Sequence, residues 1–494
     1  MGSSDLVYLP AYELLRLFHA KKLSPVEVLQ AQIERIHSRG QQVNALTHLH
    51  FDEAMVAARE SEARYAGGEP RPLEGITVAL KDEYDRAGWI TTAGSKLFAD
   101  DEKKHNHPVV DKLLDAGAVL HVQTTAPEFY LLGVTWSDLW GVTRNPWNLA
   151  CTPGGSSGGS AAALACGMTT LAAGSDMGGS IRIPCALNGL YGFKPPYGRI
   201  ASPGETGLLV HASHGPMARN FTDMVLLHNV MSGAASGTLT AIKPKLDLPL
   251  DYPSIKGWKI ALDMTQGWAE LDRDVRDRPL EAARLLESAG ATVEEVKLKL
   301  ASSSVEIRDM IEKALFSTAL GADLAELAPQ TTQLTTYARH FVHLASRMSP
   351  KDAAEAAKAA MRVHDALQQH VFQKGFRALL CPAVATTRIP ATFDPTSDDV
   401  VINGQIVDSY AGWFLASVFS LLNWYPVINV PARLASNGVP TGIQIIAAPY
   451  DDITAATVAS AYAANAPEFF TPSLRPVFKD VPRGLLSAAP FTTG

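Results

Sequence analysis

The sequence predicts one large α/β domain: a central, twisted, mixed β-sheet covered on both faces by helices. Three observations predict it. Short apolar runs suited to buried strands alternate with stretches of helical period. Capping and stop signals separate the two kinds of segment. The 494 residues contain no internal repeat, low-complexity tract or linker that would divide the chain.

The elements follow in order. Ser24-Pro25-Val26-Glu27 is a capping box with proline at the first helical position, and Leu29, Ile33 and Ile36 then share one face. Residues 75–80 form an apolar strand that carries Lys81 at its end. Residues 107–116 are helical, Gly117 stops them, and 118–123 are the next strand. The alternation continues with a strand at 258–263, a helix at 278–288 and a strand at 291–296. Residues 301–375 are helix-rich, Ser349-Pro350 opening a helix from Lys351, and short strands at 378–380, 427–430 and 441–447 complete the sheet. This gives an N-terminal helical region (1–70), a core (71–225), the remainder of the same domain (226–475) and a C-terminal tail (476–494).

Composition sets outer bounds. A hydrophobic content of 47% and a charged content of 19% are ordinary for a globular chain. A net charge of −7 argues against a dedicated nucleic-acid or anionic-membrane surface. The four cysteines, Cys151, Cys166, Cys185 and Cys381, lack C-x-x-C spacing and read as reduced, buried thiols. No basic segment followed by an apolar core opens the chain, and the small-apolar run 161–173 is too short to cross a bilayer. The expectation is a cytoplasmic protein, monomer or homodimer, with no nucleic-acid or membrane partner.

Chemistry concentrates in residues 152–194, which hold two glycine-serine clusters, Gly154-Gly155-Ser156-Ser157-Gly158-Gly159-Ser160 and Gly178-Gly179-Ser180. Consecutive backbone N–H groups in such turns can converge on one anion. A phosphate cradle of the P-loop kind is excluded, because neither cluster ends in Gly-Lys-Ser/Thr. Gly154 to Gly158 matches the nucleophile elbow G-x-S-x-G, which would make Ser156 the nucleophile. That motif needs a preceding strand and a late histidine; residues 149–153 make a poor strand, and no histidine follows His370. The pairs His48/His50, His105/His107 and His211/His214 lack the companion ligands of a metal site and read as exposed or loop histidines, with His211 and His214 nearest the site. No metal and no cofactor is expected.

The pairing of the two clusters resembles the amidase signature family, in which a Gly-Gly-Ser-Ser-Gly-Gly loop leads through a helix to Asp-x-Gly-Gly-Ser-x-Arg. Here these read GGSSGGS and SDMGGSIRIP, followed by GLYGFKPPYGR. Upstream, residues 75–82 resemble the strand that presents the family's lysine. Residues 91–95, 140–147, 215–219 and 438–444 match further landmarks, so the resemblance runs from about 10 to 465.

The resemblance implies the amidase signature fold and assigns roles. Ser180 is the nucleophile, Ser156 the bridging serine behind a cis Gly155–Ser156 peptide, and Lys81 the terminal base. Each role has a chemical reason. A serine hydroxyl needs a neighbouring base, a lysine serves only when neutral, which burial favours, and a hydroxyl between them can donate and accept together. The backbone N–H groups of Met177, Gly178, Gly179 and Ser180 would hold the oxyanion, and Ser157, Ser175, Asp176 and Arg182 would support the two loops. The implied activity is hydrolysis of a linear amide through an acyl-enzyme, with carbamates (urethanes) and esters open to the same machinery.

Specificity is expected from 301–375 and the loops around 397–426. Asn423-Trp424-Tyr425-Pro426 departs from the smaller residues common there; Trp424 and Tyr425 either line an apolar substrate pocket or belong to the core. Two other functions stay open: the glutamine-hydrolysing A subunit of a tRNA-dependent amidotransferase, and, from a different class, a non-catalytic binding protein on this scaffold.

Overall fold

A computed structural model describes residues 3–478 and 492–493. Eleven strands build one mixed sheet: β1 (Leu46–Leu49), β2 (Thr77–Lys81), β3 (Val119–Thr124), β4 (Leu171–Asp176), β5 (Tyr191–Lys194), β6 (Ser213–Ala218), β7 (Lys259–Leu262), β8 (Thr292–Glu295), β9 (Ala378–Pro382), β10 (Val427–Leu434) and β11 (Pro440–Ala447). Their spatial order is β8-β7-β9-β11-β10-β5-β6-β4-β2-β3-β1, and Thr492–Thr493 adds a short parallel edge beside β1. The trio β3, β2 and β4 is parallel, as are β8, β7 and β9; the strands between these groups pair antiparallel.

Helices cover both faces, and alternation along β2 shows why. Val78 and Leu80 join the core under the helices Pro108–Asp115, Phe221–Met231 and Asp452–Ala463. Ala79 faces the other way, onto the helices Pro25–Val43 and Gly158–Cys166. The latter helix is buried on every side, which its run of alanines permits. Ser24 and Glu27 close the capping box expected from the sequence, and Ser349 with Asp352 caps Pro350–His370 in the same manner. All four cysteines are buried and unpaired.

The parallel strands lie where their apolar runs place them. Three others, β1, β5 and β6, carry no comparable run: Ser213–Ala218 contains histidine, glycine and proline, yet it is buried throughout between two neighbours. The strand expected at 291–296 forms as β8, but at the sheet edge, with three of its four residues exposed. No helix among the described residues is long and apolar enough to cross a membrane. Most of the tail assigned to 476–494 lies outside the described residues.

Candidate active site

β2 and β4 run parallel with Leu80 opposite Ala173, so Lys81 and Ser175-Asp176 emerge together at the carboxyl ends of adjacent strands, where open α/β sheets place their ligand crevices. Lys81 is fully buried. Its Nζ donates to Ser156 Oγ at 2.8 Å and to Ser175 Oγ at 2.7 Å. It also lies 2.9 Å from Glu83 Oε2 and 4.6 Å from the centre of the Tyr130 ring. Burial lowers its pKa from the ordinary lysine value, and Glu83, Asp176 and Asp82 pull in the opposite direction.

The Ser156 loop approaches other backbone too closely for side chains. A Cβ on Gly155 would sit 2.7 Å from the carbonyl oxygens of Leu132 and Val134. The Gly155–Ser156 peptide is cis. Ser157 ties the two glycine-serine clusters together, its N–H donating to Ser180 O at 3.1 Å while its hydroxyl lies against the Ser175 backbone.

Asp176 shapes the second cluster. Oδ1 accepts from Gly179 N–H at 2.9 Å, Oδ2 from Ile181 N–H at 3.2 Å, and Arg182 donates to both oxygens at 2.8 and 2.9 Å. Burial alone would raise the Asp176 pKa, but Arg182 and these donors outweigh it and hold it at about 2. Arg182 reaches on to Ala416 O, Ser420 Oγ and Gln444 Oε1. Gly179 takes φ +115°, with no room for a Cβ beside Ile183.

This geometry corrects one expectation. The Gly179 N–H is already committed to Asp176, which leaves those of Met177, Gly178 and Ser180, none of which meets a protein acceptor among the described residues. Met177, Gly178 and Ser180 line a cavity of about 550 Å³ together with Ser156, Ser175 and Glu83. Much of the remaining lining is apolar, from Phe129, Leu132, Leu315, Phe316, Phe341 and Phe414, with Arg308 and Glu312 among it.

A family model described as Amidase matches residues 27–455. The chain belongs to the amidase family. It is 32% identical to the A subunit of a glutamyl-tRNA(Gln) amidotransferase from Carboxydothermus hydrogenoformans, covering 93% of this chain and 98% of that one. It is 30% identical to an acylamidase of Rhodococcus erythropolis, covering 90% and 93%. Among solved structures, a bacterial aryl acylamidase of the amidase signature enzymes superposes with a TM-score of 0.85 at 28% identity, over 93% of this chain and 96% of that one.

Within this amidase the landmark motifs act as ties. Asp82, at the end of the lysine strand, accepts from Thr92 N–H, Thr92 Oγ1 and Gly94 N–H, and its burial raises its pKa to about 6. Asn145 donates to Thr152 O, before the first cluster, and to Leu187 O, after the second. Gln444 meets Arg182.

Trp424 and Tyr425 do not line the amidase cavity. Trp424 is 37% exposed at the surface. Tyr425 is buried against the helix Pro350–His370, where its hydroxyl meets His364 Nδ1 at 2.9 Å and Gln368 Nε2 at 3.1 Å. Of this segment, the Asn423 side chain and the Tyr425 backbone hold Lys194, whose buried Nζ donates to Asn423 Oδ1 at 2.8 Å and Tyr425 O at 2.9 Å. Both segments expected to set specificity do reach the cavity, through Leu315, Phe316 and Phe341 and through Tyr410 and Phe414.

Sequence reading missed three groups here. Glu83 is the first, two residues past the lysine and in direct contact with it. The others are His107 and His214, which are buried rather than exposed. Val109 N–H donates to His107 Nδ1, so His107 Nε2 carries the proton and donates to His214 Nε2 at 3.3 Å. His214 Nδ1 then donates to Tyr84 Oη, which donates to Gly174 O on β4. Burial lowers both imidazole pKa values, in keeping with two neutral rings.

Proposed function

We propose that this amidase hydrolyses the C–N bond of a small amide or carbamate bearing an apolar group, through an acyl intermediate on Ser180. Ser180 Oγ attacks the carbonyl carbon and gives its proton to Ser156 Oγ, which passes its own to neutral Lys81. The N–H groups of Met177, Gly178 and Ser180 receive the oxyanion. The proton returns through Ser156 to the departing nitrogen, and water then releases the acyl group by the same relay.

The observation that carries this reading is the 2.8 Å hydrogen bond between the wholly buried Lys81 Nζ and Ser156 Oγ, on a cavity wall that Ser180 shares. The largely apolar lining favours an aryl or aliphatic substituent. A hydrolysis panel of anilides, aliphatic amides, carbamates and glutamine tests it; anilides or carbamates with apolar groups should be cleaved fastest. Phe414→Ala should raise KM for such a substrate about 10-fold, the worth of a partly lost apolar contact, with little change in kcat. An unchanged KM would place the substituent elsewhere.

One observation favours a second reading, release of ammonia from glutamine as one component of an amidotransferase: the 32% identity to such a component over nearly the whole chain. Glutamine as the only member of the panel to be hydrolysed would decide for it.

A further inference from the structure

Three acceptors surround Lys81 Nζ: Ser156 Oγ at 2.8 Å, Ser175 Oγ at 2.7 Å and Glu83 Oε2 at 2.9 Å. Three acceptors suit an ammonium, which has three protons and no lone pair. A base must have two protons and one lone pair, so the neighbours decide where that pair points. Glu83, as a carboxylate, has no proton to offer. Ser175 has one, but already donates it to Glu83 Oε2 at 2.5 Å. Ser156 alone keeps a hydroxyl proton that no acceptor claims among the described residues.

We propose that Glu83 is a positioning residue that, through Ser175, turns the lone pair of neutral Lys81 onto Ser156 and sets the pH at which that lone pair appears. The proposal rests on the reading of Lys81 as the base. The chemistry follows from charge and hydrogen count. As an anion in contact with Lys81, Glu83 favours the ammonium and opposes the effect of burial. When the ammonium loses its proton, the two remaining N–H bonds stay on Glu83 and Ser175, and the vacated direction is the one facing Ser156. Among the described residues no other side chain takes this place. Asp82 is held by Thr92 and Gly94, Asp176 by Arg182 and Gly179, and Tyr130 presents its ring face. Around Glu83, His214 is engaged with His107 and Tyr84, and Asp85 lies near Lys103 at 3.8 Å.

The test uses the full chain and a fluorophosphonate, whose second-order rate of labelling is followed from pH 5.5 to 10. In the wild type the rate should rise as Lys81 loses its proton. Glu83→Gln removes the anion, so the rise should move to lower pH by about one unit or more, the usual effect of an opposite charge at contact distance. Its plateau should fall as well, because the amide can donate to the lone pair and turn it away from Ser156. Glu83→Asp, which keeps the charge but withdraws it by one carbon, should shift the rise the same way by less, and it serves alone if the glutamine variant does not fold. A midpoint unmoved in both variants, whatever the plateau, would overturn the proposal. Failure of the underlying reading has a different signature: Lys81→Ala would label at the wild-type rate with an unaltered profile.

Discussion

Ser180→Ala is expected to abolish covalent labelling by a fluorophosphonate and to lower kcat/KM by about 10⁶-fold, the scale seen when an attacking serine is removed. The atom that forms the acyl bond is then gone, while the cavity, the free N–H donors and the Lys81–Ser156 hydrogen bond remain. Ser156→Ala should behave differently. It breaks the relay but spares the nucleophile, so slow labelling should persist. The two results together separate this arrangement from a nucleophile elbow at Ser156, in which labelling would survive at Ser180→Ala and vanish at Ser156→Ala. The fold already speaks against the elbow, since no strand enters residue 156; the segment before it is a loop.

Arg182→Met should produce the largest loss of stability, about 3–5 kcal/mol by denaturant midpoint, the cost of breaking a buried ion pair from one side. Both partners of the Arg182–Asp176 pair are fully buried, and the substitution strands the carboxylate. The pH dependence carries a sign. In the wild type the Asp176 pKa is held at about 2 against an ordinary 3.8, so the pairing stabilises fully above about pH 3.8 and is lost as pH falls toward 2. In the variant, burial acts unopposed by the guanidinium and raises that pKa, so acidification removes the stranded charge and the gap to wild type should narrow. A gap that is small at pH 7, or that widens in acid, would show that Asp176 finds another partner.

How legible the site was depends on what each residue had to announce. Lys81 ends an apolar strand, and Ser156 and Ser180 lie in glycine clusters of unusual density, so pattern marked their segments, and the resemblance of the paired clusters to the amidase signature gave each residue its role. Glu83 carried no such signal, because an acidic residue after Lys-Asp reads as an ordinary turn; its meaning depends on the parallel register of β2 and β4, which brings Ser175 beside it. The histidine chain was hidden for the same reason, with partners 107 residues apart in sequence. At Trp424 and Tyr425 the sequence left two readings open, pocket wall or core, and for Tyr425 the structure gives the core. Two aromatics in a small-residue segment resemble a pocket wall, but the strand that follows them, β10, turns Tyr425 toward a helix of the specificity region instead of the cavity.

The sheet order has a consequence for how such enzymes change. β8 and β9 flank the same strand, β7, so the chain leaves the sheet at residue 295 and re-enters at 378 only two strand spacings away, roughly 10 Å. Everything between, including the helices that supply Leu315, Phe316 and Phe341, is an excursion anchored at nearby points. Thr335 and Tyr337 also bond this excursion to Glu128 and Trp136, so a replacement that kept those ties could reshape the cavity while the platform bearing residues 81, 156 and 180 kept its register.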